Sequence, residues 1–477
     1  MLAITGNTIT TLVATVYLTG WISAFHAIHR TRTSQGAIAW AMALITLPFL
    51  ALPLYWVLGR TKYHGYIKAR KRGMHSIQKL AEQLQPRIPA VQFTLPKDRG
   101  DLIALENLVH VPFLRGNRSR LLIDGQETFE AIFEAMDQAQ DYILTQFYIV
   151  RDDGLGRRFR DKLVERARAG VKCFFLYDEF GSHGLDNDYI EDLEAAKVRV
   201  SPFSSTRGRH NRFQVNFRNH RKVVVIDGKQ AFVGGHNIGD EYLGLSPRLS
   251  PWRDTHVGIE GPASLAVQLS YLEDWYWATH ENPDWNWEPD LVEDGEENIL
   301  VLPTGPSDRF ESCSYFFSEM ARIARDRLWI ASPYLVLDST VASGLQLAAL
   351  RGVDVRILLP SVHDQLVSWL ASFAYIQPLF DAGVKLYRYR KGFMHQKALV
   401  VDEDLSAVGT ANLDNRSFRL NFELTLLHHS RRFCEEVEGM LERDLQNSDP
   451  IMQEDLDSRG FVFNLGVSTA RLWAPIL

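Results

Sequence analysis

The chain has 477 residues, of which 46% are hydrophobic and 23% are charged. This length exceeds one ordinary domain, and the composition excludes a largely disordered protein. The net charge of −6 at pH 7 argues against a general nucleic-acid binder, although local basic patches remain compatible with it. The three cysteines, Cys173, Cys313 and Cys434, are odd in number and far apart, so we expect buried thiols in a reducing compartment rather than a disulfide framework or a metal cluster.

Two segments near the N-terminus, 1–25 and 36–59, carry no charged side chain. Each is long enough to cross a hydrocarbon core of about 30 Å as a helix, so we expect a transmembrane anchor of two helices over 1–59. Pro48 and Pro53 are tolerated in a membrane helix and disruptive in a water-soluble one. The first six residues contain no Lys or Arg, which disfavours a cleaved signal peptide. Two buried helices of a soluble core are the alternative.

Basic residues predict the orientation of this anchor. The loop between the segments offers Arg30 and Arg32, whereas the residues after the second segment form a larger cluster: Arg60, Lys62, Lys68, Arg70, Lys71 and Arg72. Because the larger basic cluster stays on the cytoplasmic side, we expect both termini and the main body in the cytoplasm. The same cluster suits anionic lipid headgroups. Residues 60–105 form a mixed connector.

The remainder of the chain repeats one order of elements. Apolar runs over 142–150 and 171–177 flank a helical pattern that ends at Gly170, and runs over 328–336 and 353–359 flank another that ends at Gly352. Strand, helix and strand in this order predict a parallel α/β sheet in each copy. An acidic stretch over 282–297 is the candidate linker, so we predict one domain over 106–290 and a second over 291–477.

The strongest signal is a short motif that occurs twice, 175 residues apart. The pattern H-x-K-x4-D contains His220, Lys222 and Asp227 in the first copy, and His395, Lys397 and Asp402 in the second. The match continues without a gap, so that Gly234 and Asn237 correspond to Gly409 and Asn412. One copy alone arises by chance or as a buried core histidine; two copies in register indicate a duplicated unit whose histidines and lysines meet.

The motif lies on an apolar run that predicts a strand. His and Lys are two positions apart, so their side chains leave the same face, and the residue between them points away. Asp227 and Asp402 belong to the motif but follow at the end of the strand, facing away from the histidine. We therefore expect these two carboxylates to brace a turn or a sheet neighbour rather than to react.

Two histidines and two lysines supply what phosphodiester transfer requires without a metal or a cofactor. One imidazole attacks phosphorus, and the other protonates the leaving alkoxide and then deprotonates the incoming alcohol. Lys222 and Lys397, with amide donors from Asn237 and Asn412, would stabilise charge on the non-bridging oxygens of the phosphate. A two-metal mechanism needs clustered carboxylates or other ligands, and neither motif surrounds its histidine with them.

These motifs resemble the phospholipase D superfamily, and within it the bacterial cardiolipin synthases. The wider likeness covers nearly the whole chain, including the paired N-terminal segments and residues 216–222, 252–254 and 304–306; the C-terminal residues 472–477 are only similar to the family's usual ending. The resemblance implies two phospholipase D-like α/β/α sandwich domains in tandem with one shared active site. It makes His220 the nucleophile and His395 the acid and base, with Asp254 and Glu423 as the carboxylates that orient them. The sequence gives no independent way to assign the two histidines.

The resemblance also implies a reaction: two phosphatidylglycerols giving cardiolipin and glycerol, at the bacterial inner membrane, with the catalytic domains facing the cytoplasm. Basic and aromatic residues precede each motif, over 207–218 and 387–393, and suit an anionic headgroup. They would also suit a nucleic-acid backbone, but the membrane anchor favours lipid. Hydrolysis to phosphatidic acid, another alcohol acceptor, and a lipid-binding scaffold without turnover remain alternatives. The sequence leaves the oligomeric state open, a homodimer included.

Overall fold

The computed structural model describes residues 6–59, 62, 63, 65–68, 87–204 and 216–477. The chain divides into two units, one of residues 1–68, 205–217 and 476, and one of residues 69–204, 218–475 and 477. Much of the predicted connector, including Arg60 and 70–72 of its basic cluster, lies outside the described residues, as do 207–213 of the segment before the first motif.

The first unit contains three apolar helices: α1 (Gly6–Arg30), α2 (Ser34–Thr46) and α3 (Pro48–Leu58). Of the helices in the described part of the chain, α1 alone is long and apolar enough to cross a membrane, over Thr8–Arg30. The expectation of one continuous second helix is wrong, because α2 ends at Thr46. Leu47 has φ −131° and ψ 54°, since the ring of Pro48 disfavours helical backbone at the residue before it.

These helices pack through small residues and through paired polar groups. A β-carbon added at Gly20 of α1 would lie 2.4 Å from the carbonyl oxygen of Leu44 on α2, so only glycine permits this approach. His26 Nδ1 lies 2.6 Å from the hydroxyl of Tyr55, and Trp56 Nε1 donates to Ser23 Oγ at 3.2 Å. Both features are typical of helices that associate within a bilayer.

The second unit begins with the end of the predicted connector, followed by the first predicted domain. In chain order they are α4 (Ile88–Val91), α5 (Ile103–Val109), β1 (Leu114–Ile123), α6 (Asp124–Gln138), β2 (Tyr142–Phe147), α7 (Gly154–Arg168), β3 (Lys172–Asp178), α8 (Asn187–Ala195), β4 (Arg199–Phe203), β5 (Arg218–Asn219), β6 (Val223–Ile226), β7 (Gln230–Gly234), β8 (Trp252–Arg253), β9 (Thr255–Glu260) and α9 (Ala263–Thr279). Short 3₁₀ helices occur at Lys97–Leu102 and Asp240–Leu243.

The second half of this unit repeats that order. It contains β10 (Glu297–Thr304), α10 (Ser312–Ile323), β11 (Arg327–Ala331), β12 (Leu335–Val336), α11 (Ser339–Leu350), β13 (Asp354–Pro360), α12 (Leu366–Asp381), β14 (Lys385–Tyr389), β15 (Phe393–Met394), β16 (Ala398–Val401), β17 (Leu405–Gly409), β18 (Leu413–Asp414), α13 (Asn415–Arg419), β19 (Asn421–His429), α14 (Arg431–Gln446), β20 (Ser448–Pro450), α15 (Gln453–Asp457), α16 (Phe461–Arg471) and a 3₁₀ helix at Ala474–Ile476.

One continuous sheet runs through both halves, with 16 strands in the described part of the chain. Its order is β4-β3-β2-β6-β7-β9-β1 in the first half and β10-β19-β17-β16-β11-β13-β14-β20 in the second, and β5 pairs with β19 off this path. The halves join where β1 pairs antiparallel with β10. Apart from β20, the strand order of one half is the mirror sequence of the other, which is the expected result of a duplicated unit.

The predicted strand–helix–strand units are confirmed, but the prediction of a parallel sheet is only partly right. β2 pairs parallel with β3, and β11 pairs parallel with β13. The strand within each motif pairs antiparallel with the strand after it, β6 with β7 and β16 with β17, because only three residues connect them and a parallel pair needs a long crossover. The sheet is therefore mixed. The domain boundaries at 105/106 and 290/291 remain predictions; residues 280–296 have no regular secondary structure.

Each half has its own hydrophobic core. Phe129, Phe159 and Phe175 are fully buried in the core of the first half, and Leu328, Val355 and Leu399 in that of the second. The three cysteines are buried and unpaired, as predicted. Trp275, Trp277 and Trp285 are also buried, so their contribution is to packing.

Candidate active site

The segments that carry the two motifs pair across the two halves. β5, directly before His220, pairs in parallel with the start of β19. β15, directly before His395, pairs in parallel with β8. The backbone N–H of His220 donates to the Phe422 carbonyl at 2.9 Å, and that of His395 donates to the Arg253 carbonyl at 2.7 Å. Each histidine is therefore fixed by backbone from the opposite half.

The orienting carboxylates are exchanged in the same way. His220 Nδ1 lies 2.9 Å from Glu423 Oε2, and His395 Nδ1 lies 2.7 Å from Asp254 Oδ2. A carboxylate only accepts, so Nδ1 of His220 carries the hydrogen and its Nε2 is left with the lone pair. Nδ1 of His395 contacts both Asp254 and Lys397 Nζ, the latter at 2.8 Å. Both carboxylates are fully buried, whereas the side chains of His220 and His395 retain 11% and 9% exposure. The histidines are thus the more exposed member of each pair.

Glu423 is held by hydroxyl and amide donors of its own half. Thr410 Oγ1 donates to it at 2.5 Å, Ser417 Oγ at 2.8 Å and Asn421 Nδ2 at 3.3 Å. Burial opposes ionisation of Glu423, but the neighbouring His220 and Lys222 and these donors hold its pKa below the usual value. Glu423 is therefore an anion whose position is fixed before substrate binds.

Asp254 is supported mainly by charge. Burial opposes its ionisation, yet Lys397 and His395 hold the pKa of this carboxyl well below its usual range. The N–H of Thr255 donates to Asp254 at 2.8 Å, and Trp252 Nε1 donates at 3.3 Å. Trp252 also places its ring 5.1 Å from the His395 ring. On the other side, Tyr148 places its ring 5.1 Å from His220.

The two lysines of the motifs are buried beside the histidines. Lys222 Nζ donates to the His220 carbonyl at 2.5 Å, and Lys397 Nζ donates to the His395 carbonyl. Burial lowers the pKa of Lys222 to about 7 and that of Lys397 to about 8. The negative charges of Glu423 and Asp254 act against this lowering at both lysines. Lys397 also acts on the pKa of His220 and of Lys222, which indicates that both motifs belong to one site.

Both imidazoles are neutral at pH 7 in the site without substrate. Burial lowers the pKa of His220 to about 4, against the attraction of Glu423. Burial and Lys397 together lower the pKa of His395 to about 3. The arrangement provides two neutral imidazoles, each beside a lysine that is at least half protonated at pH 7, which suits an incoming phosphodiester anion.

The residue between His and Lys of each motif hydrogen-bonds a buried carboxylate on a helix of its own half. Arg221 donates to Asp274 at 2.8 Å, and Gln396 donates to Asp444 at 3.0 Å. Arg253 also binds Asp444, at 2.9 Å. Asp274 on α9 and Asp444 on α14 are buried carboxylates that sequence reasoning missed. Asp274 belongs to the helix that follows β9 and Asp444 to the helix that follows β19, the equivalent strand of the second half, so their equivalence under the duplication was a usable signal.

Asp227 and Asp402 end the motif strands and bind backbone N–H groups. Asp227 accepts from Gln140 at 2.8 Å, Asp141 at 2.9 Å and Tyr142 at 2.7 Å. Asp402 accepts from the equivalent residues Arg325, Asp326 and Arg327 at 2.8–3.1 Å. Both aspartates have a positive φ, 52° and 51°. Each carboxylate thereby ties the end of the motif strand to the start of the neighbouring strand.

The two motif asparagines are also hydrogen-bonded within the protein. Asn237 accepts from the N–H of Ile149 at 3.0 Å and donates to the Tyr242 hydroxyl at 2.8 Å. Asn412 donates to Asp414. Each amide nitrogen carries a second hydrogen, so these contacts leave one donor on each side chain.

Fold and site define the class: a tandem, duplicated α/β protein with one histidine–lysine pair from each half, as in phospholipase D-like proteins. A family model described as "Cardiolipin synthase, PLD-like domain" matches residues 132–246 and 318–445, and one described as "Phospholipase_D-nuclease N-terminal" matches residues 16–60. The chain belongs to the cardiolipin synthase family of the phospholipase D superfamily. Cardiolipin synthases are phosphatidyltransferases.

Similar proteins span nearly the whole chain. The chain is 47% identical over 470 residues to cardiolipin synthase A of Pseudomonas aeruginosa, covering 98% of this chain and 96% of that protein. It is 46% identical to cardiolipin synthase A of Pseudomonas putida, covering 98% of both. Among solved structures, phosphatidylserine synthase of Haemophilus influenzae covers 79% of this chain and 100% of its own, with a TM-score of 0.62 at 14% identity, which is a likeness of fold.

Proposed function

We propose that this protein transfers the phosphatidyl group of one phosphatidylglycerol to a second, giving cardiolipin and glycerol through a phosphohistidine. The observation that carries the proposal is the pair of exchanged dyads, His220 with Glu423 and His395 with Asp254. Such dyads supply both a nucleophile and a proton-transfer group at one site. The names of the relatives, cardiolipin synthase A, support lipid as the substrate class.

In the first step, His220 Nε2 attacks phosphorus of the donor lipid. A P–N bond forms, the P–O bond to the glycerol headgroup breaks, and His395 gives its proton to the departing oxygen. His220 reacts as the neutral imidazole, which its lowered pKa favours. The resemblance assigns His220 as the nucleophile, and the exchanged geometry is equally compatible with the reverse assignment.

His395 acquires its proton when the anionic substrate binds. In the free site, burial and the charge of Lys397 keep the pKa of His395 low. A bound phosphodiester places negative charge beside Lys397 and the imidazole, which offsets the lysine and raises the pKa of His395. Lys222 and Lys397, with the remaining amide hydrogens of Asn237 and Asn412, then bind the non-bridging oxygens.

In the second step, the glycerol hydroxyl of another phosphatidylglycerol attacks the phosphohistidine. His395 takes the proton of this hydroxyl, the new P–O bond forms, and the P–N bond to His220 breaks. Water at about 55 M competes with the lipid hydroxyl, so transfer requires an oriented acceptor in a site that excludes water. The near-complete burial of the dyads supports such exclusion.

We also propose that residues 1–59 anchor the protein in the bacterial inner membrane with two crossings and a cytoplasmic body. α1 has the length and composition for the first crossing. α2 and α3 together extend over 34–58, long enough for a second crossing by a broken helix. A cysteine introduced at Thr33 should be labelled by a membrane-impermeant reagent from the periplasmic side, and labelling only after cell lysis would contradict this orientation.

The reaction is tested with purified protein in phosphatidylglycerol vesicles and a metal chelator, with lipid products resolved by mass spectrometry. Wild type should form cardiolipin and glycerol, and His220→Ala and His395→Ala should form neither while remaining folded. His280→Asn, at a histidine outside both motifs whose φ of 62° asparagine tolerates, is the matched control and should retain activity. Phosphatidic acid in place of cardiolipin would reassign the protein as a hydrolase, and full activity of either alanine variant would exclude the two-histidine mechanism.

A further inference from the structure

A tyrosine and an aspartate that belong to neither motif nor dyad form a hydrogen-bonded pair in the second half. The hydroxyl of Tyr334 donates to Asp364 Oδ2 at 2.5 Å. Both residues are partly exposed. A carboxylate offers about four lone-pair sites on its two oxygens, so one hydrogen bond leaves Asp364 able to accept others. We refer to these two residues as the hydroxyl–carboxylate pair.

The sheet brings this pair to the edge at which the second motif begins. Tyr334 follows β11 and Asp364 follows β13, and these two strands are parallel neighbours. β11 also pairs with β16, where Ala331 lies opposite Ala398, the residue after Lys397. Ligands of α/β proteins bind at the carboxyl ends of parallel strands, so the pair and the motif lysine share the edge of the sheet that faces substrate.

The loop that carries the aspartate is also held by the first half. Arg248 donates to the carbonyl of His363, directly before Asp364, at 3.0 Å. The adjacent residues 249–251 accept from the N–H of Phe393 on β15, the strand that leads into the second motif. One short stretch of the first half therefore contacts both the loop of Asp364 and the approach to the motif.

The charge of the aspartate acts on the second motif. Burial lowers the pKa of Lys397, and Asp364 is among the carboxylates whose charge opposes this lowering. Burial and the charge of Asp364 raise the pKa of Tyr334 well above its usual value, so the phenol stays protonated and donates to the carboxylate. The pair therefore presents an anionic hydrogen-bond acceptor near Lys397. Such an acceptor repels a phosphate oxygen and binds a hydroxyl.

The first half differs at the equivalent positions. Ile149 lies at the register of Tyr334, one residue before the parallel bridge that each half makes to the residue after its motif asparagine. An acidic neighbour of Lys222 in the first half is Asp178, which is buried and accepts from three backbone N–H groups. The acceptor capacity of that carboxylate is used within the protein. The duplicated site is therefore asymmetric, with the less occupied carboxylate on the side of His395.

We propose that the hydroxyl–carboxylate pair binds the glycerol headgroup of phosphatidylglycerol, with Asp364 accepting from its free hydroxyls, and so selects this headgroup over simpler alcohols. The inference rests on the proposed transfer reaction, in which His395 protonates the departing glycerol and later deprotonates the glycerol of the acceptor lipid. Glycerol then occupies the side of His395 in both steps. The hydroxyl on its middle carbon is free in donor and acceptor alike, so one carboxylate serves both. This placement also favours His220 as the nucleophile, on the opposite side of phosphorus.

The test offers the full-length protein two donors in the same vesicles, phosphatidylglycerol and phosphatidylethanol. Both carry one phosphodiester charge, but phosphatidylethanol lacks the free hydroxyls of the headgroup. The ratio of released glycerol to released ethanol measures headgroup selection and does not depend on the overall activity of a variant. Asp364→Ala should lower this ratio at least about tenfold, because a hydrogen bond to a charged group is lost. Asp364→Asn keeps an acceptor oxygen and should lower it less. Tyr334→Phe keeps the ring but removes the donor that holds the carboxylate, and should lower the ratio several-fold.

Asp186→Ala is the matched control. Asp186 is an exposed carboxylate in the corresponding loop of the first half, directly before α8, where it makes no capping hydrogen bond, and its loss should leave the ratio unchanged. If Asp364→Ala and Tyr334→Phe slow both donors equally, the pair has a structural role and the proposal is overturned. Phosphatidic acid in place of cardiolipin from the wild type would instead overturn the transfer reaction. The ratio is still measured in that case, because the headgroup leaves before water or lipid takes its place, so the two failures are distinguishable.

Discussion

His220 and Glu423 are 203 residues apart in sequence, and Nδ1 of one lies 2.9 Å from Oε2 of the other. The second dyad, His395 with Asp254, crosses between the halves in the opposite direction. Neither half contains a complete dyad, so the active site exists only when both halves are folded and joined. This exchange gives a physical reason for the duplicated protein to act as one catalytic unit.

The dyads predict that each carboxylate is needed for turnover. Glu423→Gln and Asp254→Asn keep the shape of the side chain but remove the charge that fixes the tautomer and stabilises the imidazolium. General acid–base groups contribute about 10²–10⁴-fold, so we expect kcat to fall by at least about 100-fold with a small change in KM. The measurement is steady-state cardiolipin formation. Glu293→Gln, at an exposed position in the stretch before β10, is the control and should behave as wild type. A loss confined to KM would argue that the carboxylates bind substrate instead.

The lowered pKa values of the lysines predict the alkaline limb of the pH profile. A lysine is cationic below its pKa, so the charge that binds phosphate is present at lower pH and is lost as pH rises through about 7 for Lys222 and about 8 for Lys397. kcat/KM should therefore decline across this window. Lys397→Arg keeps a positive charge at all of these pH values, so the decline above about pH 8 should become shallower while the decline near pH 7 remains with Lys222, even though the different shape of arginine lowers the maximum. Lys229→Arg, at an exposed lysine, should leave the whole profile in place. An unchanged slope above pH 8 in Lys397→Arg would assign that part of the decline to another group.

Asp227 predicts a loss of stability rather than of chemistry. Asp227→Ala leaves three backbone N–H groups without their acceptor and places alanine at a φ of 52°. We expect the free energy of unfolding to fall by about 2–3 kcal/mol. Asp227→Asn retains an acceptor and tolerates this backbone conformation, so its loss should be smaller. Denaturant unfolding and kcat would be measured on the same samples, and a 100-fold loss of kcat at unchanged stability would make Asp227 a catalytic residue.

A substitution at Gly235 should disturb the dyad of His395 and Asp254 without touching that of His220 and Glu423. A β-carbon at this position would lie 1.9 Å from Asp254 Oδ1, so Gly235→Ala forces the carboxylate to move. The equivalent residue of the second copy is Thr410, whose hydroxyl donates to Glu423. We expect Gly235→Ala to lower kcat at least tenfold, because a small displacement of a positioned group impairs proton transfer. Gly170→Ala, where nothing lies within 4 Å but φ is 99°, controls for backbone strain and should lower stability only. Wild-type kcat in Gly235→Ala would show that Asp254 tolerates displacement.

The sequence by itself determined the duplication, the motif residues and most elements around them. Two H-x-K-x4-D copies in register identify the chemistry because phosphodiester transfer has few side-chain solutions. The apolar runs before Gly170 and Gly352 predict strand–helix–strand units because side-chain period and helix stops are local properties. The position of Asp227 at the end of the motif strand, facing away from His220, was predicted from the same local pattern.

Only the tertiary structure decided how the halves combine. The exchange of Glu423 and Asp254 between the dyads depends on β5 pairing with β19 and β15 with β8, contacts between segments about 140–200 residues apart that no local pattern encodes. The buried partners Asp274 and Asp444 emerged for the same reason, since burial of a carboxylate is set by what packs over it. The helix break at Leu47 has a local cause, the proline that follows it, yet the apolar pattern over 36–59 did not predict it. Hydropathy indicates whether a segment suits lipid, but it says nothing of the backbone conformation before a proline.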